Sequence, residues 1–284
     1  MIIWSVLVSV VAAAPPLKAL IVDGQMNKWH AGTALTPALK GQLEETKLFH
    51  VDVATSPAKG EDMAGFVPEF KAYDVVVMNY DGDEWPAETK RAFVDYVRGG
   101  GGLVIYHSAD NAFTNWPEYN EMIAVGGWGG RSQTSGVSIR WRDGKMFRDP
   151  TPDKAGSHGP QHAFELVVRA PEHPVTKGLP ERFMHAPDEL YDRLRGPAKN
   201  VTVLATAYSS PEKRGTGEHE PILMAIRFGK GRVFHTTLGH GAEHLKSVAF
   251  IVTYQRGSEW AATGKVTQPI PDDFPGADEP SVRP

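Results

Sequence analysis

His107 ends the apolar run Leu103-Val104-Ile105-Tyr106 and precedes Ser108-Ala109. A histidine placed where a buried strand meets a turn can act as a general base near neutral pH or ligate a metal. It can equally close the turn through a hydrogen bond. Ser108 offers a hydroxyl nucleophile, although Tyr106-His107-Ser108-Ala109-Asp110 lacks the G-x-S-x-G pattern of a hydrolase elbow. A second group, Asp188-Glu189, follows His185 and precedes Tyr191. A carboxylate pair beside an aromatic ring suits hydroxyl binding, proton transfer or metal ligation. Successive strand residues face opposite ways, so at most one of the two enters a pocket. Glu189 is taken as that one, against an alternative in which Asp188 caps a turn and Glu189 pairs with Arg193 or Arg195. His240, between an apolar run and Gly241, completes a catalytic set of His107, Glu189 and His240.

His158 and His162 form H-x-x-x-H. On a helix that spacing puts two imidazoles on one face, as in zinc sites. Here Gly159-Pro160 interrupts any helix and the glutamate of H-E-x-x-H is missing. One of the two histidines is expected at the pocket, and His162 joins His107 and Glu189 as the expected ligands of a divalent ion, Zn or Mn. Three other histidines read differently. His173, in a Pro- and Gly-rich turn, is structural; His235, mid-strand, belongs to the core or an interface; His219, in the polar loop Lys213 to Glu220, is expected to be solvated.

These groups need a scaffold, and the chain supplies an alternating one. Lys18 to Asp23, Lys47 to Val53, Tyr73 to Asn79 and Leu103 to Tyr106 read as strands. The valine-rich third suits a buried parallel position. Helical spacing covers Thr36 to Thr46, Pro86 to Arg98 and Trp116 to Ala124. Later runs at Phe164-Arg169, Val201-Tyr208 and Ile222-Phe228 read as strands, and the last joins Arg232-Leu238 across Gly229-Lys230-Gly231 as a hairpin. His244 to Tyr254 predicts a closing helix. The βαβ rhythm predicts an α/β fold with a mostly parallel sheet covered on both faces. In such sheets ligands bind beyond the carboxyl ends of the strands. That rule collects Asp23-Gly24-Gln25 with His30, Asn79-Tyr80-Asp81, His107-Ser108 and His240 at one cleft.

Three segments carry a family resemblance. They are His173-Pro174 with Gly178-Leu179-Pro180 and Asp188-Glu189-Leu190-Tyr191; Gly229 to Val233 followed by Leu238-Gly239-His240; and Gly101 to Ile123. Together, in this order, they resemble the ThuA-like (trehalose-utilisation) family over roughly residues 18 to 260. The resemblance implies a flavodoxin-like, doubly wound sheet related to class I glutamine amidotransferases, here with a late antiparallel hairpin extension. It also implies a carbohydrate as small-molecule partner. In the amidotransferase relatives the turn after the fourth strand carries a nucleophilic cysteine, where this chain has His107. With no cysteine anywhere, glutamine hydrolysis by that route is excluded. Aromatic walls stack on sugar rings, so Trp116, Trp128 and Tyr191 join His30, Asp81 and Ser108 as expected substrate-binding residues; Trp85 also lies near these strand ends. The Gly126-Gly127-Trp128-Gly129-Gly130 run is a flexible or close-approach loop, without the strand-to-helix context of a phosphate loop. Many family members have a histidine soon after it, where this chain has Arg131-Ser132.

Composition narrows the partners. A net charge of −4 with scattered Lys and Arg gives no reason to expect nucleic acid. Ile2 to Val11 is apolar and followed by Ala12-Ala13-Ala14, too short to span a bilayer and patterned like a secretory signal. Residues 1–14 are therefore expected to be a cleaved leader to the periplasm or exterior. Residues 15–257 form the α/β domain, and 258–284 an extended Pro-rich tail. A homo-oligomer is left open. The leading reading is an enzyme of carbohydrate catabolism that uses His/Glu acid-base chemistry, with or without a metal, for hydrolysis, elimination or isomerisation of a sugar or keto-glycoside. The competing readings are a non-catalytic carbohydrate-binding protein and a lipase-like hydrolase using Ser108.

Overall fold

The computed structural model describes residues 15–284; the leader expected at 1–14 lies outside the described residues. The chain begins β1 (Leu17–Asp23), α1 (Thr36–Glu45), β2 (Phe49–Thr55), β3 (Val75–Met78), α2 (Ala87–Gly99), β4 (Gly102–Tyr106) and α3 (Pro117–Ile123). A middle region of short strands follows: β5 (Val137–Arg142), β6 (Lys145–Asp149), β7 (Ser157–His158), β8 (His162–Val168), β9 (Arg182–Asp188), β10 (Tyr191–Asp192) and β11 (Arg195–Gly196). β12 (Val201–Tyr208), β13 (His219–Phe228), β14 (Gly231–Thr236) and α4 (Val248–Thr263) complete it.

The main sheet has nine strands in the order β2-β1-β3-β4-β14-β13-β12-β8-β9. From β2 to β14 every pairing is parallel. This half is the doubly wound order in which the direction of winding reverses between β1 and β3, and β14 takes the fifth place. Beyond β14 every pairing is antiparallel. The hairpin expected at β13–β14 therefore continues into a four-strand extension with β12, β8 and β9. Two small sheets, β10-β7 and β11-β5-β6, accompany the main sheet.

Both faces are covered. Leu39 and Leu43 of α1 pack with Phe250, Tyr254 and Trp260 of α4 on one side. Phe93 and Val97 of α2 pack with Tyr119 and Met122 of α3 on the other. α2 forms because its apolar residues recur on one face, and it stops at Gly100, whose φ of 126° suits glycine. α4 runs nine residues past the Tyr254 end expected from sequence, to Thr263, so the extended tail begins at Gly264 rather than 258. Ser258 and Glu259, assigned by sequence to the extended tail, are buried in this helix, as is Arg256 before them. Arg256 donates to the carbonyls of Val175, Pro174, Lys177 and Gln268, and Glu259 accepts from Thr267 and Gln268. Paired in this way, a buried charge is tolerated. Among the described residues no helix is long and apolar enough to cross a membrane.

Candidate active site

The ends of β1, β3, β4 and β14 converge with the segment after β9. His107 leaves β4 with a φ of 42°, in the left-handed region that non-glycine residues seldom occupy. Its Nδ1 lies 2.6 Å from the Thr237 carbonyl. A carbonyl only accepts, so Nδ1 bears the hydrogen and Nε2 of the neutral ring presents a lone pair. His30 is fixed in the same way. Asn27 donates its amide N–H to Asp81 Oδ2 at 2.7 Å, which leaves Asn27 Oδ1 to accept from His30 Nδ1 at 2.8 Å. His30 Nε2 therefore also presents a lone pair. Both nitrogens face one phenol: Tyr191 Oη lies 2.8 Å from His107 Nε2 and 3.2 Å from His30 Nε2. A single O–H proton can satisfy only one of them.

Glu189 and His240 close the group. His240 Nδ1 lies 3.1 Å from Glu189 Oε2, but off hydrogen-bond alignment, and this buried nitrogen has no hydrogen-bond partner among the described residues. One ligand atom from each of His30, His107, Glu189 and His240 lies within 4.8 Å of all the others. Three imidazoles and a carboxylate, with two lone pairs turned inward and one buried nitrogen unpartnered, make a donor set that fits a divalent cation such as Zn or Mn.

The electrostatics agree. Burial, and then His107 and His240, push His30 down to about 3. Burial also lowers His107. Glu189 beside it raises His240. Burial works to raise the Glu189 carboxyl, yet its histidine neighbours hold it below the usual carboxylate range. His30 and His107 are therefore neutral near pH 7, the form that binds metal.

Asp188 positions this group from behind. It is fully buried. Its Oδ1 accepts the Glu189 N–H at 2.8 Å and the His240 N–H at 3.3 Å; its Oδ2 accepts the Gly239 N–H at 2.7 Å and faces His185 Nε2 at 2.9 Å. His185 Nδ1 in turn meets Ser247 Oγ at 2.9 Å. Burial opposes ionisation of Asp188, but the His185 contact and the surrounding histidines hold it well below the usual carboxylate range. Asp188, the last residue of β9, thus turns inward, and Glu189, the next residue, faces the cavity. Glu189 faces histidines, not Arg193 or Arg195.

In front lies a cavity of about 590 Å³, within the size range of small-molecule sites. Trp29 and Trp128 form its aromatic walls, and Asp81, Asn111, His158 and Tyr191 its polar side. Trp29 is 72% exposed at the mouth.

Several residues chosen from sequence lie elsewhere. His162 is not in the four-ligand group; it opens β8, and its Nδ1 faces the Pro160 carbonyl at 2.8 Å. His158 reaches the cavity instead, because β7 pairs with β10 and sets His158 opposite Tyr191. Trp116 is core, not pocket wall: it is buried against Trp85, Phe93, Phe113 and Tyr119. Ser108 is buried and donates to the Met26 sulfur at 3.2 Å, and among the described residues no imidazole is hydrogen-bonded to its hydroxyl. His219 is not solvated in a loop; it begins β13, partly buried against Tyr208. Sequence reasoning passed over Asn27, Trp29 and Asn111. The first two lie within three residues of His30, so the strand-end rule would have reached them had it been applied to the whole loop.

Comparison with curated proteins gives no match. Among solved structures, a ThuA-like protein from Parabacteroides merdae is 48% identical with a TM-score of 0.92, covering 95% of this chain and 98% of its own. A ThuA-like protein from Bacteroides uniformis is 22% identical with a TM-score of 0.61, covering 91% of this chain and 96% of its own, a likeness of fold. The family model described as trehalose utilisation matches residues 18–261. The chain belongs to the ThuA family, a family of carbohydrate use.

Proposed function

We propose that the protein is an enzyme of carbohydrate breakdown that acts on a keto-glycoside with the help of one divalent cation held by His30, His107, Glu189 and His240. The observation that carries this reading is the convergence of those four ligand atoms within 4.8 Å, two of them lone pairs fixed by backbone or amide partners. A bound Zn or Mn ion would polarise a carbonyl oxygen of the sugar. A ketone next to a ring C–H acidifies that C–H, so a polarising group and one base suffice for isomerisation or elimination. Tyr191 supplies a hydroxyl between the two imidazoles, and the Trp29 and Trp128 faces suit the apolar face of a sugar ring. The family description, trehalose utilisation, makes a disaccharide the first substrate to try.

The test is turnover of 3-keto-trehalose by purified protein with added Zn or Mn, and after chelation. Turnover with metal and its loss with EDTA are expected. Sugar binding without turnover under every metal condition would contradict an enzyme and favour a carbohydrate-binding protein.

A further inference from the structure

A cation at this cluster would occupy the groups that acid-base chemistry would otherwise use, since His30, His107, Glu189 and His240 would hold it. Three other titratable side chains line the cavity: Asp81, His158 and Tyr191. Tyr191 carries a neutral hydroxyl 2.8 and 3.2 Å from two ligand nitrogens, a donor rather than a base. His158 has Nδ1 against the Gly159 carbonyl at 2.8 Å, and its Nε2 lies 3.7 Å from Glu189 Oε1. His158 thus keeps a nitrogen without a hydrogen bond among the described residues, but no hydrogen bond ties it to the cluster, whereas Asp81 is linked to a ligand through one amide. Its Oδ2 accepts from Asn27 at 2.7 Å, and its Oδ1 accepts no hydrogen bond among the described residues. Asn27 also accepts from His30, so one amide spans the carboxylate and a ligand and fixes their separation. Burial raises the Asp81 carboxyl above its ordinary value, toward the range useful to a base.

We propose that Asp81 is the proton-transfer residue of this site. The inference rests on the keto-glycoside reading above and assigns its base. The Asp81 carboxylate takes the proton from the carbon next to the ketone. The C–H pair becomes the C=C of an enolate, while the carbonyl π pair moves onto oxygen, facing the His and Glu group. When that oxygen pair returns to re-form C=O, the enolate C=C pair moves to form a new C=C to the anomeric carbon, and the glycosidic C–O bond breaks. The leaving oxygen takes the proton back from Asp81. Atoms and electrons balance without a further reactant. Asn27 is a positioning residue, holding the base at a set distance from His30.

The experiment follows deuterium uptake from heavy water next to the ketone of 3-keto-trehalose, together with zinc affinity and sugar affinity. Wild-type protein should exchange. Asp81→Asn should bind zinc and sugar within about threefold of wild type, as a change outside the ligand set should, and lose exchange by about a hundredfold or more. Asp81→Glu should recover part of it, and His162→Ala, outside the cavity, should keep it. Retained exchange in Asp81→Asn, with or without its loss in His158→Ala, would overturn the assignment and leave the function reading intact. Loss of zinc binding in Asp81→Asn would make Asp81 a prop for His30 and overturn it equally. Wild-type protein that binds the sugar but exchanges nothing would contradict the function reading, and this inference with it.

Discussion

Asp188 accepts the backbone N–H of Gly239 at 2.7 Å, joining two segments 51 residues apart in sequence. The same carboxylate accepts the N–H groups of Glu189 and His240, the two members of the four-residue cluster that follow β9 and β14. One buried charge thus sets the relative position of half the cluster. His185 and Ser247 behind it keep the carboxylate oriented. Outer contacts of this kind commonly govern metal affinity as strongly as the ligands do.

Asp188→Asn should therefore lower zinc affinity by about ten- to a hundredfold. It keeps the shape but turns an N–H group toward backbone donors. Stability should fall by about 3 kcal/mol, as for a buried pair that loses one partner. A zinc titration and a thermal melt read the two effects separately; unchanged zinc affinity would show that Asp188 only supports the fold.

His107→Ala and His162→Ala separate the cluster from the H-x-x-x-H spacing. The first should reduce zinc affinity by about a hundredfold or more, as expected for a lost ligand. The second removes a ring held by the Pro160 carbonyl outside the cluster and should leave affinity unchanged. Isothermal titration of both variants checks this.

The two tryptophans Trp29 and Trp116 should behave oppositely. Trp29→Ala, at the mouth of the cavity, should weaken disaccharide binding by about five- to tenfold, the loss of one stacking face, with little change in melting temperature. Trp116→Ala, in the aromatic core, should cost about 3–5 kcal/mol of stability. Fluorescence titration with 3-keto-trehalose and thermal melts of both variants decide it.

Acid should destabilise the fold partly through His173. Burial, with Arg227 nearby, lowers this imidazole from its ordinary 6.5 to about 4. Between those values the unfolded chain binds the proton and the folded one does not. The stability is therefore fully present above about pH 6.5 and is lost as pH falls toward about 4. His173→Gln should flatten the fall of stability across that window, measured by urea unfolding at several pH values; an unchanged slope would mean that the ring protonates in place.

Much of the site was legible because the parallel half of the sheet is locally encoded. Each strand, turn and helix there is contiguous, so the strand-end rule reached His30, Asp81, His107 and His240 from pattern alone. The middle region resisted because its pairings are distant. His158 meets Tyr191 only through β7 and β10, and Gly126 bridges to Arg195; nothing in local periodicity records either contact. Trp116 misled for a related reason: an aromatic residue after a strand end can face the cleft or the core, and Trp85, Phe93 and Phe113 draw it inward. Alternation led to the expectation that only one of Asp188 and Glu189 enters the pocket, but β9 ends at Asp188, and the role of Asp188 as a brace needed the position of Gly239.

Whether His30, His107, Glu189 and His240 hold one divalent cation is read from crystals of the protein soaked in Zn or Mn, with anomalous diffraction recorded at the absorption edge of that metal. A single strong peak is expected within bonding distance of all four residues, at full occupancy and lost in His107→Ala. No peak at the cluster, or a peak bound by His158 and His162 instead, would contradict this expectation.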